Sequence, residues 1–339
     1  MLKDKMMRYW CCFFGVLVVF LAGCGRQRRF ADIDATPVSV KVERFDVALA
    51  TADTTDMYQS VVRLYDEYPV FMPLFVDQIL EVEPSDTVYV AELMRNFLCD
   101  SLYRAVNDYA LATFSDLDSI EGELSKAFGR LRYFYPQIKV PDLYLFVSGF
   151  NRQVLFTDNI LALGADMYLG ADYPLYEEVT YRYMHYGMRP ACVPVDMLSV
   201  VLFRNFRQPL ANPNLLDEML YRGKIMYFLS VLFPDAPSNE IMNYTPEQWE
   251  WCDYFERRIW STILDSKDLF STDNLTITKY VNDGPFTGPV SQDSPGRLGT
   301  WVGWRIVDSY MEHHPEVGMQ ELLEMTDSQK LLEMSDYRP

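Results

Sequence analysis

Along most of this chain apolar residues recur at every third or fourth position, the spacing that gathers them on one face of an α-helix. Only between residues 143 and 163 do they crowd into short runs. After Thr54-Thr55-Asp56, a triplet suited to capping a helix, Leu64, Tyr65 and Tyr68 mark a helix that stops at Pro69. A short helix is expected from Pro73, carrying Leu74, Ile79 and Leu80, and two more between Ser85 and Thr113, broken near Cys99-Asp100-Ser101. The strongest periodicity follows, with Leu117, Ile120, Leu124, Phe128, Leu131 and Phe134 behind a Ser115-x-x-Asp118 cap and ahead of Pro136. Residues 41–136 therefore predict a helical lobe. Residues 38–45 alternate as a strand or extended segment does and should join the edge of the globule.

The period then changes. Residues 143–147, 153–157 and 160–163 are rich in β-branched and aromatic side chains, and Ser148-Gly149-Phe150-Asn151 and Asp158-Asn159 separate them. Three strands joined by tight turns are expected, with Asp158-Asn159 suited to the left-handed backbone of a hairpin. A Gly-rich loop over 163–174 leaves the sheet. Its Asp166 and Asp172 lack the alternating oxygen ligands of a calcium loop, which favours turn capping over cation binding. Residues 137–192 hold this sheet and loop.

From Pro194 the helical spacing returns, and residues 193–339 form a second helical lobe. Pro194 opens a helix over 195–206 with almost no polar face in its middle: Met197, Leu198, Val200, Val201, Leu202 and Phe203. Such a helix is buried on nearly all sides. A helix over 215–233 follows, then one opened by Thr245-Pro246-Glu247-Gln248, where Thr caps, Pro takes the first turn and Gln248 completes a capping box. Trp249, Cys252, Ile259, Trp260 and Ile263 point inward from it. Asn282-Asp283-Gly284-Pro285-Phe286 is a turn, and residues 295–305 begin a helix with Gly296, Gly299 and Gly303 on one face. Glycine costs a helix about 1 kcal/mol relative to alanine. A close backbone contact along that face, or a ligand on it, must offset the loss. Residues 319–339 close the chain with two short amphipathic helices. The fold class is α+β, predominantly helical, with a small three-stranded sheet between two helical lobes.

The N-terminus changes the picture. Lys3, Lys5 and Arg8 precede an apolar run over 10–21 that is too short and too abruptly ended for a spanning helix, and Leu21-Ala22-Gly23-Cys24 follows it. This is a lipobox. Residues 1–23 are expected to be a lipoprotein signal peptide, Cys24 the lipid attachment site, residues 24–40 a tether and residues 41–339 a single domain. A retained membrane anchor is the plainer alternative. The basic Gly25-Arg26-Gln27-Arg28-Arg29 next to the lipid would lie at the membrane surface, touching headgroups or serving as tether alone.

Charge narrows the partners. The chain carries a net charge of −18, and removing residues 1–23, with three basic and one acidic side chain, leaves −20. Nucleic acid and anionic lipid surfaces are poor partners for such a body. Beyond Cys24, three cysteines remain, Cys99, Cys192 and Cys252, as free thiols or as one pair plus one spare. The three histidines, His185, His313 and His314, never stand at the i, i+4 spacing of a zinc helix. No G-x-S-x-G elbow, Walker loop or dinucleotide fingerprint is present, and paired acids such as Glu81 with Glu83 or Glu177 with Glu178 read as solvated faces. A glycosidase's two carboxylates are set by spatial separation, which a sequence does not reveal.

Several segments carry a resemblance. The lipobox with its Arg-rich sequel, Val42-Glu43-Arg44-Phe45-Asp46, Val147-Ser148-Gly149-Phe150-Asn151, Asp166-Met167-Tyr168-Leu169-Gly170, Gly223-Lys224-Ile225-Met226-Tyr227-Phe228, Asn282-Asp283-Gly284-Pro285-Phe286 and Pro295-Gly296-Arg297 resemble the gliding-motility lipoprotein family GldB of Bacteroidetes, in order and over the whole mature chain. The resemblance implies an envelope lipoprotein associated with gliding machinery in gliding members, and it supplies no catalytic residues. More distantly, the order of elements is similar to that of predicted zincin-type peptidases, whose buried helix carries HExxH and whose third zinc ligand is a later Glu. Here the buried helix has no histidine, and the later position is Arg222.

The expectations are therefore a zincin-like layout without metal, no cofactor, and a non-enzymatic envelope lipoprotein supporting a protein machine. A degenerate zincin-like domain gripping peptide or cell-wall glycan is the alternative. Candidate binding residues are Arg222, Asn282, Asp283, Arg297 and Trp301. The expected partners are the membrane, through lipid on Cys24, and envelope or motility-machinery proteins. The expected location is the envelope, facing the periplasm, because the residues after Cys24 are basic rather than the acidic surface-export signals of this group.

Overall fold

A computed structural model describes residue 30 and residues 33–339. The chain divides into Met1–Asp34 and Ala35–Pro339, and every strand and helix described lies in the second unit. Cys24 and the basic residues after it fall outside the described residues.

Four strands form one mixed sheet: β1 (Val42–Arg44), β2 (Asp142–Phe146), β3 (Val154–Phe156) and β4 (Ile160–Gly164), in the order β1-β2-β4-β3. β2 lies parallel to both β1 and β4, while β3 and β4 form the antiparallel hairpin expected at Asp158-Asn159, with Val154 opposite Leu163. β4 is buried throughout. The expected count of three strands is corrected to four. The alternation at 38–45 holds a strand only three residues long, because Phe45 at once starts a helix. Its partner β2 is remote in sequence, and parallel pairing leaves no turn to announce it.

Six helices build the first lobe: α1 (Phe45–Ala50), α2 (Met57–Glu67), α3 (Phe71–Gln78), α4 (Thr87–Cys99), α5 (Ser101–Thr113) and α6 (Asp118–Phe134). Asp56, Asp86 and Asp100 each cap a helix by accepting the backbone N–H three residues on. Asp100 also ends α4, which explains the break between α4 and α5. The expected Ser115 cap does not form. Asp116 Oδ1 accepts the Asp118 N–H at 2.8 Å instead, so α6 begins without a side-chain cap. Aromatic rings join this lobe to the sheet. Phe45 meets Phe71 edge-on at 4.8 Å, and Phe71 stacks on Tyr144 of β2 at 4.4 Å. Residues 35–40 run against α6, where the Val38 N–H donates to the Ser125 carbonyl at 3.1 Å.

The rest of the chain supplies α7 (Tyr176–Val179), α8 (Val193–Asn205), α9 (Leu215–Leu232), α10 (Ser238–Ile241), α11 (Pro246–Ser266), α12 (Asn274–Val281), α13 (Leu298–His313), α14 (Met319–Glu324) and α15 (Ser328–Ser335). Thr245 and Gln248 form the expected capping box. α9 is buried at every residue from Gly223 to Leu232 and packs along α13, with Gly223 and Gly303 at the crossing. A Cβ on Gly303 would overlap the Met219 backbone, and one on Gly299 would press on the Tyr280 carbonyl at 3.0 Å. Backbone contact, not a ligand, therefore fills that face. Gly296 lies ahead of the helix rather than on its face, against Gly284. α8 packs on α6 and α9 and reaches the sheet edge through Arg204, which pairs with Asp158 and lies 4.7 Å over the Phe156 ring.

Candidate functional site

One face of α8 is not apolar. Asp196, Ser199 and Val200, at i, i+3 and i+4, line a cavity of about 240 Å³ together with Tyr168, Asn243, Asp283 and Arg297. Met197, Leu198, Val201 and Leu202 face the core instead. Pro194 sets the first turn of α8 and puts Asp196 in it, near the positive end of the helix dipole.

A hydrogen-bonded chain fixes the Asp196 carboxylate. Gln153 donates to the Tyr168 hydroxyl at 2.8 Å, Tyr168 donates to Asp196 Oδ2 at 2.8 Å, and Asn243 Nδ2 donates to Oδ1 at 3.1 Å. Burial pushes Asp196 up to about 6, against the bonds from Tyr168 and Asn243 and the charge of Arg297, while Asp283 adds to the rise. The carboxyl thus changes charge just below neutral pH. Burial and the Asp196 charge hold Tyr168 well above the ordinary phenol range, so its hydroxyl stays a donor.

Two residues at the cavity adopt left-handed backbone although neither is glycine: Asn243 with φ 54° and Arg297 with φ 58°. Such strain persists only where the surroundings hold it. Arg297 is held by Asp283, 3.1 Å from its Nε, and by the Met242 carbonyl, while the Tyr244 hydroxyl donates to the Gly296 carbonyl. Asn243 Oδ1 is buried and has no partner. On the remaining side, Tyr183 lines the cavity from the 3₁₀ turn Arg182–Gly187 and stacks at 5.6 Å on exposed Tyr181. An Arg189–Glu240 ion pair at 2.6 Å fastens this segment to α10.

Of the residues singled out from the sequence, Asp283 and Arg297 meet at this cavity. Arg222 and Asn282 meet elsewhere: the Arg222 guanidinium donates to Asn282 at 3.2 Å and to the Val281 carbonyl at 3.1 Å, which ties α9 to the end of α12. Trp301 is fully buried, edge-on to Trp249 at 6.2 Å, and its indole N–H has no partner. Asp196, Tyr168 and Asn243 escaped the sequence reading. The available signal is Asp196 itself, the lone acid in a mainly apolar helix.

The cavity face of α8 offers Asp196, Ser199 and Val200, which is not a zinc ligand set. Among the described residues no three His, Cys, Asp or Glu side chains group as a metal site. Also among them, no helix is long and apolar enough to cross a membrane. What the cavity can do is recognise a polar ligand, with one titrating acid, one cation and several fixed hydrogen-bonding groups.

Residues 26–339 match the model of a family described as "Gliding motility protein GldB". No curated protein and no solved structure matches the chain.

Proposed function

The chain belongs to the gliding motility protein GldB family, and from that premise we propose that it is a non-enzymatic cell-envelope lipoprotein that supports a protein machine. The family match over nearly the whole mature chain carries this reading. The lipobox at Leu21–Cys24 supports attachment to a membrane through lipid on Cys24, and the basic residues after it support a periplasm-facing body. Exposed aromatic side chains, among them Tyr254 at 82 % exposure and Tyr181 at 70 %, suit an interaction surface. Cross-linking in intact cells followed by mass spectrometry is the test. Recurrent envelope or motility-machinery proteins joined to the body are expected, and their absence from the cross-links would overturn the reading.

The Asp196 cavity favours a second reading, in which a domain with a zincin-like order of elements grips peptide or cell-wall glycan without cleaving it. Its charged and hydrogen-bonding wall beside the Tyr181–Tyr183 pair suits such polymers. Cell-wall fragments cross-linked at the Tyr183 segment would support it.

A further inference from the structure

A separate cavity of about 320 Å³ lies where the segment after α6, the loop from α8 to α9 and the end of α14 meet the middle of α9. Two of its lining side chains are more than nine-tenths buried and short of partners. Tyr135, 7 % exposed, has a hydroxyl shut off from water with no hydrogen-bond partner. Lys224, 8 % exposed, donates to one acceptor, the Met325 carbonyl, although an ammonium carries three protons. Asp217, the acid that acts on Lys224, spends a carboxylate oxygen on the capping box by accepting the Asn214 N–H. Buried cations are kept where they are paired or fully hydrogen-bonded, and here the Lys224 ammonium meets one acceptor with three protons.

We infer that this cavity binds an organic monocarboxylate with an apolar body, its carboxylate held by the Lys224 ammonium with the Tyr135 hydroxyl as a second donor. The walls fit the body: Phe206, Tyr221, Ile225 and Leu323 supply rings and aliphatic surface. The lining charge argues against a dianion such as phosphate. Arg207 from the loop and Lys224 are balanced overall by Asp217 of α9 and Glu324 of α14, so one carboxylate at the under-satisfied Lys224 ammonium is the anionic charge the cavity can take. Burial lowers Lys224 to about 8, with Asp217 opposing, so the ammonium is charged at neutral pH and lost above it. Burial, with Glu324, raises Tyr135 to about 12 and keeps its proton in place for donation. This site stands apart from the Asp196 cavity and does not depend on the function proposed above.

Benzoate is the probe, with benzyl alcohol and benzylammonium as neutral and cationic matches. All three are added to the full chain in detergent and followed by calorimetry and saturation-transfer NMR. Benzoate should bind saturably at pH 7, and the two matches at least tenfold more weakly. Raising the pH to 9 should weaken benzoate about tenfold as Lys224 loses its proton. Lys224→Met should abolish both binding and its pH dependence, while Tyr135→Phe should weaken binding several-fold and leave the pH dependence in place. If Lys224→Met does not fold, Tyr135→Phe and the pH series on the unaltered chain carry the test. Equal binding of benzyl alcohol, absence of saturable benzoate binding, or benzoate affinity unchanged at pH 9 would each overturn the assignment.

Discussion

The Asp166 carboxylate accepts two hydrogen bonds from Ser148, from its backbone N–H at 3.0 Å and from its hydroxyl at 3.0 Å, and a third from the Phe150 N–H at 2.5 Å. Asp166 is fully buried, so these bonds stand in for its lost water. The Ser148 hydroxyl accepts in turn from the N–H groups of Asn151 and Arg152, both at 3.1 Å, and closes a turn in which Gly149 and Phe150 are left-handed. The segments at 147–151 and 166–170 are thus one hydrogen-bonded unit, and it positions Tyr168 two residues beyond Asp166.

Asp166→Ala leaves three donors in the turn without their acceptor, and each buried donor so stranded costs about 1–3 kcal/mol. The variant should lose at least about 3 kcal/mol in denaturant unfolding, with Asp166→Asn losing less because it keeps one acceptor. A midpoint unchanged in Asp166→Ala would show that the turn holds itself.

At the α9–α13 crossing the backbones of Gly223 and Gly303 leave no room for a Cβ. Gly303→Ala should therefore destabilise the body by about 1–3 kcal/mol through forced separation of the helices, although alanine is the better helix former. A gain in melting temperature would mean that propensity, not packing, governs the position.

What could be read in advance follows from how local each signal is. The break at Asp100, the capping box at Thr245 and the hairpin at Asp158-Asn159 depend on neighbours a few residues apart, and all three stand in the structure. Ser115 misled because Asp116, one residue on, offers a stronger acceptor at the same turn. The alternation at 38–45 marks the extended segment that holds β1, but its place in the sheet is hidden because its partner β2 lies far along the chain. At the site, Arg297 and Asp283 stand in segments that carry the family resemblance, but their meeting with Asp196 joins three remote segments. The apolar majority of its helix hides Asp196 in the sequence.

The thiols offer a check on the core. Cys192 and Cys252 are buried, and burial pushes Cys192 up to about 11 and Cys252 higher still, whereas Cys99 is exposed and all three are free. Of these three, maleimide should label only Cys99 in the native chain, with Cys192 and Cys252 reacting only after denaturation, as peptide mapping will show. Native labelling of Cys252 would contradict the packing of α11.

The anchor has its own test. Cys24→Ser removes the proposed acylation site and should leave unprocessed or soluble protein that no longer partitions into detergent. Mature, membrane-bound protein in that variant would refute lipid attachment at Cys24.

Asp196 makes the candidate site measurable by pH. Its folded pKa, about 6, stands above the ordinary aspartate value of 3.8. The protonated form is therefore favoured in the fold, and the stability it contributes is complete below about pH 4 and is lost as the pH rises through about 6. Two pH units correspond to up to about 3 kcal/mol. Asp196→Asn abolishes that loss. The new amide oxygen can accept from Tyr168, and the Asn243 side chain can turn its unpartnered Oδ1 toward the new amide N–H. In paired denaturant titrations the variant should match the unaltered chain near pH 4, gain steadily to pH 6 and keep a constant lead above it, since every other titrating group is common to both. A difference that does not vary between pH 4 and 8 would show that Asp196 is charged throughout, and that the cavity wall holds an ordinary solvated carboxylate.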